Sequence, residues 1–423
     1  MARLELSLRS YSTTGRRCGE WAALVVVPAV VAAVCCVSFV RRGVSQPDFG
    51  AFWLAARAVL HGHSPYASLA SLPPGPSRGY EPYGYPPLTA FLLAPLAALP
   101  FLAAKLAFLA VNVGALVLAL RLLGVRDWRC YSVAFVSAPV VESLATGTLS
   151  ILLLLGVAAA WRYRERAAVV GMLVAAVASA KLFLWPLWFW LVRTGRRRGA
   201  VVAVVACLVS VLGLWAAIGF GGLGDYPQRL DRLTRLYGPH SYSTYALARV
   251  LGFGAGHAVE VTYVVGAIAL VLAVGLVADD RCSLVALLGV SFVATPIFWP
   301  HYLVLLFVPV ALASPRLTRV WVVPLLLWVN PTAWSTGHAW QIAGELALAV
   351  LGLGVVLAPA GAAAAAGARL KKEESRSKKG CGFPSDRLSG AFKTSSGLRP
   401  TARSVDRTGC IDRSGGGQQP SAE

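Results

Sequence analysis

Between residues 21 and 358 the chain alternates long apolar runs with short connections that carry arginine. The first run, Trp21 to Val40, is too long for a signal-peptide core and reads as a retained membrane helix. The arginine-bearing connections are Arg121/Arg126/Arg129, Arg162/Arg164/Arg166, Arg193/Arg196/Arg197/Arg198 and Arg316/Arg319. Basic loops stay on the cytoplasmic side, so all four should lie there. This splits the run 131–161 at Thr146-Gly147-Thr148, and the run 167–192 around Lys181 and Pro186, each into two short helices going out and back. The pattern predicts helices at 21–40, 101–123, 131–145, 149–161, 167–180, 182–192, 200–220, 258–278, 283–297, 302–314, 319–331 and 340–358. The fold class is therefore all-α integral membrane, with about twelve transmembrane helices and both termini inside. One feature disagrees: Arg41 and Arg42 fall outside.

Two amphipathic stretches are too short to be spans and read as surface helices in the first outer loop. In Pro47–Tyr66, Phe49, Phe52, Trp53, Ala56, Val59 and Leu60 recur three or four apart, and Gly62 and Pro65 close the pattern. Asp48 stands at its start, as a helix N-cap or as an acid held at a bilayer surface, two readings that are compatible. The second stretch, 83–100, opens with Pro86-Pro87, suited to a first helical turn. The expected organisation is a cytoplasmic N-terminus (1–20), a transmembrane domain (21–358) with outer loops at 41–86 and 221–257, and a basic cytoplasmic tail (361–423). The tail has too little apolar content to fold.

Composition sharpens this picture. The chain is 57% hydrophobic and only 14% charged, with a mean hydropathy of +0.64. A soluble domain carries about 25% charged residues. The net charge of +20 sits largely in the basic connections and the tail, which argues for a membrane and against nucleic acid. The eight cysteines show no CxxC and no metal-ligand spacing, and His61 and His63 lie in a turn without a suitably spaced carboxylate. No protein-built metal site and no cofactor are expected.

On this topology Asp48, Arg57, His61, Tyr66, Tyr85, Lys181, Asp225, His240, Arg249 and His301 collect at the outer face. Ionisable groups at membrane depth are costly and usually functional. Lys181, between AAVASA and LFLWP, either serves a site or snorkels to the nearer interface. His301, between Trp299-Pro300 and Tyr302, either serves it or belongs to an aromatic belt. Arg249 could equally occupy the polar face of a surface helix. One carboxylate, several cations and an apolar groove suit transfer of a sugar from a lipid-linked phosphate. The carboxylate takes the proton of the attacking hydroxyl, and the cations hold the leaving phosphate. A carboxylate that acts as base implies one displacement, with inversion at the sugar carbon.

DFGAFWLAARAVLHGHSPY resembles the first outer-loop signature of glycosyltransferase family 87, in the GT-C superfamily. YGYPPLTAFLLAPL, GMLVAAVASAKLFLWPLWFWLVRTGRRR, HSYSTYALARVLG and TPIFWPHYLVLLFVP resemble four further blocks of that family, in order, so that the likeness spans about 48–310. Three positions depart from the family's pattern: Gly147-Thr148 in place of Gly-Gln, Ser241-Tyr242 in place of Asn-Gln, and Tyr302 in place of a second histidine. The resemblance implies a polyprenyl-monophosphate sugar donor and a glycolipid or cell-envelope glycan acceptor. Mannose is the expected sugar and arabinose the alternative. It also implies Asp48 as base, with Lys181, Arg249 and His301 lining the donor phosphate; Arg57, Tyr66 and Tyr85, on the same expected outer face, are further candidates for substrate binding. The rival readings are a lipid-linked-sugar flippase, for which internal repeats and broken midplane helices are expected, an O-antigen-ligase-like protein, and a structural membrane partner.

Overall fold

A computed structural model describes residues 25–41, 48–72, 75, 82–330 and 335–357. The expectations for 1–20, 361–423 and most of 73–81 lie outside these residues. The described chain is helical, with no strand among the described residues. Its first helices are α1 (Val27–Arg41), α2 (Phe49–Leu60), α3 (Pro87–Ala97) and α4 (Phe101–Leu122). The run predicted as one helix at 131–145 is two, α5 (Trp128–Val136) and α6 (Ala138–Thr146). Ser137 is extended between them, and its hydroxyl donates to the Ala134 carbonyl at 2.8 Å. Pro139 then opens the second helix, because proline fits a first turn and not an interior.

The order continues with α7 (Ser150–Arg162), α8 (Ala167–Ala180), α9 (Leu187–Arg193), α10 (Arg197–Ala217), α11 (Tyr226–Tyr237), α12 (Thr244–Val250), α13 (Ala255–Leu276) and α14 (Asp280–Val293). The predicted helix 302–314 begins as a 3₁₀ stretch, Pro300–Leu306, before α15 (Phe307–Ala313). Within 319–329 only Val323–Leu326 (α16) is α-helical, between two 3₁₀ turns. The last described helix, α17, is Ala339–Leu357.

Among the described residues, α4, α10, α13 and α17 are long and apolar enough to cross a membrane. The other apolar helices run 10–17 residues, too short for a full span of about 20. Val204, Leu208 and Leu212 of α10 and Val271 and Leu276 of α13 point outward, as lipid-facing side chains do. Helices α8 and α10 cross closely at two glycines. A Cβ on Gly171 would come within 2.5 Å of the Gly199 carbonyl, so no larger residue permits this approach.

The arginine connections converge. Arg164 and Arg196 both pair with Asp280, at 3.1 and 2.8 Å. Arg193 donates to the Val274 carbonyl, and Asp127 accepts from the Leu317 backbone. Helices α4 and α7 start beside Asp48 and run to arginine ends, while α8 starts at Arg166 and runs to Lys181. The loop predicted at 221–257 is largely helical. Its α11 is clamped onto the first loop: Arg229 donates to the Ala67 carbonyl, and Arg232 to those of Leu69 and Leu72.

Candidate active site

Asp48 opens α2 with φ 65° and ψ −90°, in the left-handed half of backbone space. That is close to the rare γ-turn conformation at about +75°, −65°, whereas an ordinary N-cap is extended. Its carbonyl accepts from Phe52 N–H at 3.0 Å, yet its side chain makes no capping bond. The carboxyl is thus free of the cap and sits buried, at 7% exposure. What fixes it is the residue behind it. Phe49 packs against Phe39, Phe101 and Phe108 with ring centres 5.0–5.8 Å apart, an arrangement that orients aromatic pairs. Gly147 closes α6 with φ 72° and lies so close that a Cβ there would come within 2.8 Å of the Phe49 Cβ. The hydroxyl of Thr146, one residue earlier, donates to the Glu142 carbonyl at 2.7 Å.

Three distant parts of the sequence face this carboxyl. Lys181 stands extended where α8 stops, 8% exposed. Its Nζ donates to the Tyr85 hydroxyl at 3.2 Å and lies 3.8 Å from the centre of the Tyr302 ring. Thr89 on α3 anchors this break by donating to the Ala180 carbonyl. His301, 4% exposed, lies in the 3₁₀ stretch after Trp299-Pro300. Ser243 and Tyr242 hold that turn by donating to the Pro296 and Phe298 carbonyls. The third group is Glu142 on α6, whose Oε1 is 3.2 Å from His301 Nδ1. Burial pushes the Asp48 carboxyl above the ordinary carboxylate range. His301 and Lys181 pull it back, and Glu142 adds to the rise.

Beside this cluster opens a cavity of about 510 Å³, lined mainly by apolar and aromatic side chains. Tyr85, Lys181 and Tyr302 form its wall toward the cluster, and α11 closes it with Leu230, Leu233 and Tyr237. Tyr66 supports this wall from behind. It is stacked on Trp215 at 4.8 Å and donates to the Tyr85 carbonyl. Two expected members stand elsewhere. Arg57 is exposed on α2, with its guanidinium 4.7 Å from the centre of the Trp53 ring. Arg249 is exposed and donates to the Phe253 carbonyl just beyond its own short helix. His61 and His63 are exposed. Asp231 lies at the cavity's edge, paired with Arg235. Among the described residues no group of three or more His, Cys, Asp or Glu is arranged to hold a metal ion.

Glu142 is the member that sequence reasoning missed. Its signal was present: an acid in the otherwise uncharged run between Arg129 and Arg162, the same signal that singled out Lys181. The family model for glycosyltransferase family 87 matches residues 83–309, which include Glu142, Lys181 and His301 and begin after Asp48. No curated protein and no solved structure matches the chain.

Proposed function

Because the chain belongs to glycosyltransferase family 87, we propose that it transfers mannose from polyprenyl monophosphate to a glycolipid or cell-envelope glycan on the outer face of the cell membrane. Asp48 is the general base. It takes the proton of the acceptor hydroxyl while that oxygen attacks the sugar's C1. The C1–O bond to phosphate breaks on the opposite face, and the electron pair leaves with the phosphate, so the configuration inverts. Lys181 neutralises the charge that develops on the leaving phosphate. The aromatic-lined cavity beside it takes the first prenyl units.

The observation that carries this reading is the convergence of Asp48, Lys181 and His301 in one buried cluster, from positions more than a hundred residues apart in the chain, with Lys181 also lining the aromatic cavity beside it. A charge buried without such a purpose is expensive. The test is sugar transfer in membranes containing the full chain, with radiolabelled polyprenyl-phosphate-mannose and, separately, the arabinose donor. Incorporation from the mannose donor is expected. Incorporation from arabinose alone reassigns the sugar, and incorporation from neither overturns the reading.

A further inference from the structure

The amine of Lys181 lies against two tyrosine rings. Its Nζ is 3.8 Å from the centre of the Tyr302 ring and 4.9 Å from that of Tyr85, whose hydroxyl accepts from it at 3.2 Å. Lys181 and both tyrosines line the cavity. Tyr302 is buried, and its neighbours hold the plane of its ring. Phe183 stacks on it with ring centres 4.8 Å apart, and Phe298 meets it edge to face at 5.6 Å. Its backbone N–H donates to the Trp299 carbonyl, which ties the ring to the turn that carries His301. The face of an aromatic ring carries negative potential. Within about 6 Å of the ring centre it attracts an ammonium far more strongly than a neutral amine, so the rings favour the charged form of Lys181. A neutral ring takes no proton from the lysine and cancels none of its charge, as a carboxylate would. An ammonium seated on a ring face is fixed in place with its full charge left for an anion.

Resting on the transferase reading, we propose that Tyr302 is a positioning residue whose ring face seats the Lys181 ammonium at the cavity wall, where it receives the phosphate of the lipid donor. A lysine ammonium rides on a flexible four-carbon stem. Lys181 stands on an extended residue just past the end of α8, so the helix does not direct its side chain. The ring removes that freedom before the donor binds. When the bond to the sugar's C1 breaks and the phosphate gains charge, the cation is already in position, and no reorganisation is needed at that moment. No bond to Tyr302 forms or breaks. The same seat gives the cavity a preference for a prenyl phosphate over the free prenyl alcohol, which offers no charge to Lys181.

Fluorinated phenylalanines test this, because each added fluorine weakens the negative face of the ring with little change of shape. Tyr302→Phe is the reference, and mono-, di- and trifluorophenylalanine at the same position complete the series in the full chain. Transfer kcat is expected to fall stepwise, by on the order of threefold to thirtyfold between Tyr302→Phe and the trifluoro variant, with the melting temperature kept. Should the trifluoro variant fail to fold, the mono- and difluoro steps carry the slope. In a Lys181→Met background the series is expected to be flat, because the coupling needs both partners. A flat series with Lys181 in place, or the same slope in both backgrounds, overturns the proposal. The second measurement needs no sugar transfer. Native mass spectrometry of the purified full chain compares binding of polyprenyl monophosphate with binding of free polyprenol. Affinity for the monophosphate is expected to weaken along the series while affinity for polyprenol stays level. Equal weakening for both lipids marks a packing role and overturns the proposal, as does one monophosphate affinity across every variant. Failure of the transferase reading is seen separately, as wild-type membranes that transfer no sugar while the monophosphate series keeps its slope.

Discussion

Asp48 holds a left-handed backbone conformation without being glycine. Such a conformation costs on the order of 1–3 kcal/mol and persists where the surroundings impose it, typically at functional sites. Its side chain returns nothing to the helix it opens, since it makes no capping bond. Asp48→Asn should therefore leave folding and membrane insertion near wild type and lower transfer by on the order of 10²–10⁴-fold. Asp48→Glu should also be poor, because the extra methylene moves the oxygen off the acceptor. Retention of more than about a tenth of the activity in Asp48→Asn, less than the smallest loss expected for a missing base, would move the base elsewhere. Asp231 at the cavity's edge is the first place to look. The buried carboxyl titrates above the ordinary range, so kcat/KM should fall on the acid side at a higher pH than a solvated carboxylate gives. Lys181 lowers that value, so Lys181→Met should move the acid limb to still higher pH as well as slow transfer. An unmoved limb in the pH–rate profile would separate Lys181 from Asp48. Lys181 and His301 were legible as lone polar groups against apolar neighbours, and Asp48 as the acid that opens an amphipathic stretch. Glu142 carried the same signal among the hydroxyls Ser137, Ser143 and Thr146, which soften the contrast. Arg57 and Arg249 misled because a charge on the outward face of an amphipathic helix looks, in sequence, like one that faces a site.

At the scale of elements, the site depends on where helices stop. Lys181 is presented by the end of α8, and Asp48 is fixed by the close of α6 at Gly147. The stops at 146–148 and 181 were legible from glycine, proline and the lone lysine. The break at Ser137 was not, because Pro139 within an apolar run also suits a continuous helix that kinks. Two glycines allow a controlled experiment. Gly62 and Gly147 share nearly the same positive φ, 73° and 72°, so alanine pays a similar conformational penalty of about 1–2 kcal/mol at each. Open space surrounds Gly62, whereas a Cβ on Gly147 would meet the Phe39 ring at 2.6 Å and Phe49 at 2.8 Å. Gly62→Ala should lower the melting temperature modestly and leave kcat intact. Gly147→Ala should lower both, because relief of the clash displaces Phe49 and with it Asp48. Equal kcat in the two variants, measured with protein of equal membrane yield, would show that the close of α6 does not position the acid.

For the whole molecule, charge decides the path more firmly than helix length does. Length and composition identify four full spans among the described residues and leave the other apolar helices short. The expectation of about twelve spans rests on the out-and-back rule alone, and the size of each helix supports four. That rule has a structural counterpart in Asp280, which ties the connection after α7 to the one after α9. Partly buried paired charges are costly to separate, so these connections stay at one end and Asp48, Lys181 and His301 at the other. Sidedness is then a single binary choice for the whole site. By the positive-inside rule the arginine end is expected to face the cytoplasm. In a protein with its eight cysteines replaced, single cysteines at His63 and Arg198 probe the two ends. Both positions are exposed, and neither belongs to the Asp280 cluster. A membrane-impermeant maleimide should label position 63 in intact cells and position 198 only after permeabilisation. The reverse pattern would turn the bundle over and put sugar transfer on the cytoplasmic side. Labelling of both positions in intact cells would break the path itself, because no arrangement that keeps Arg164 and Arg196 on Asp280 exposes both ends to one compartment.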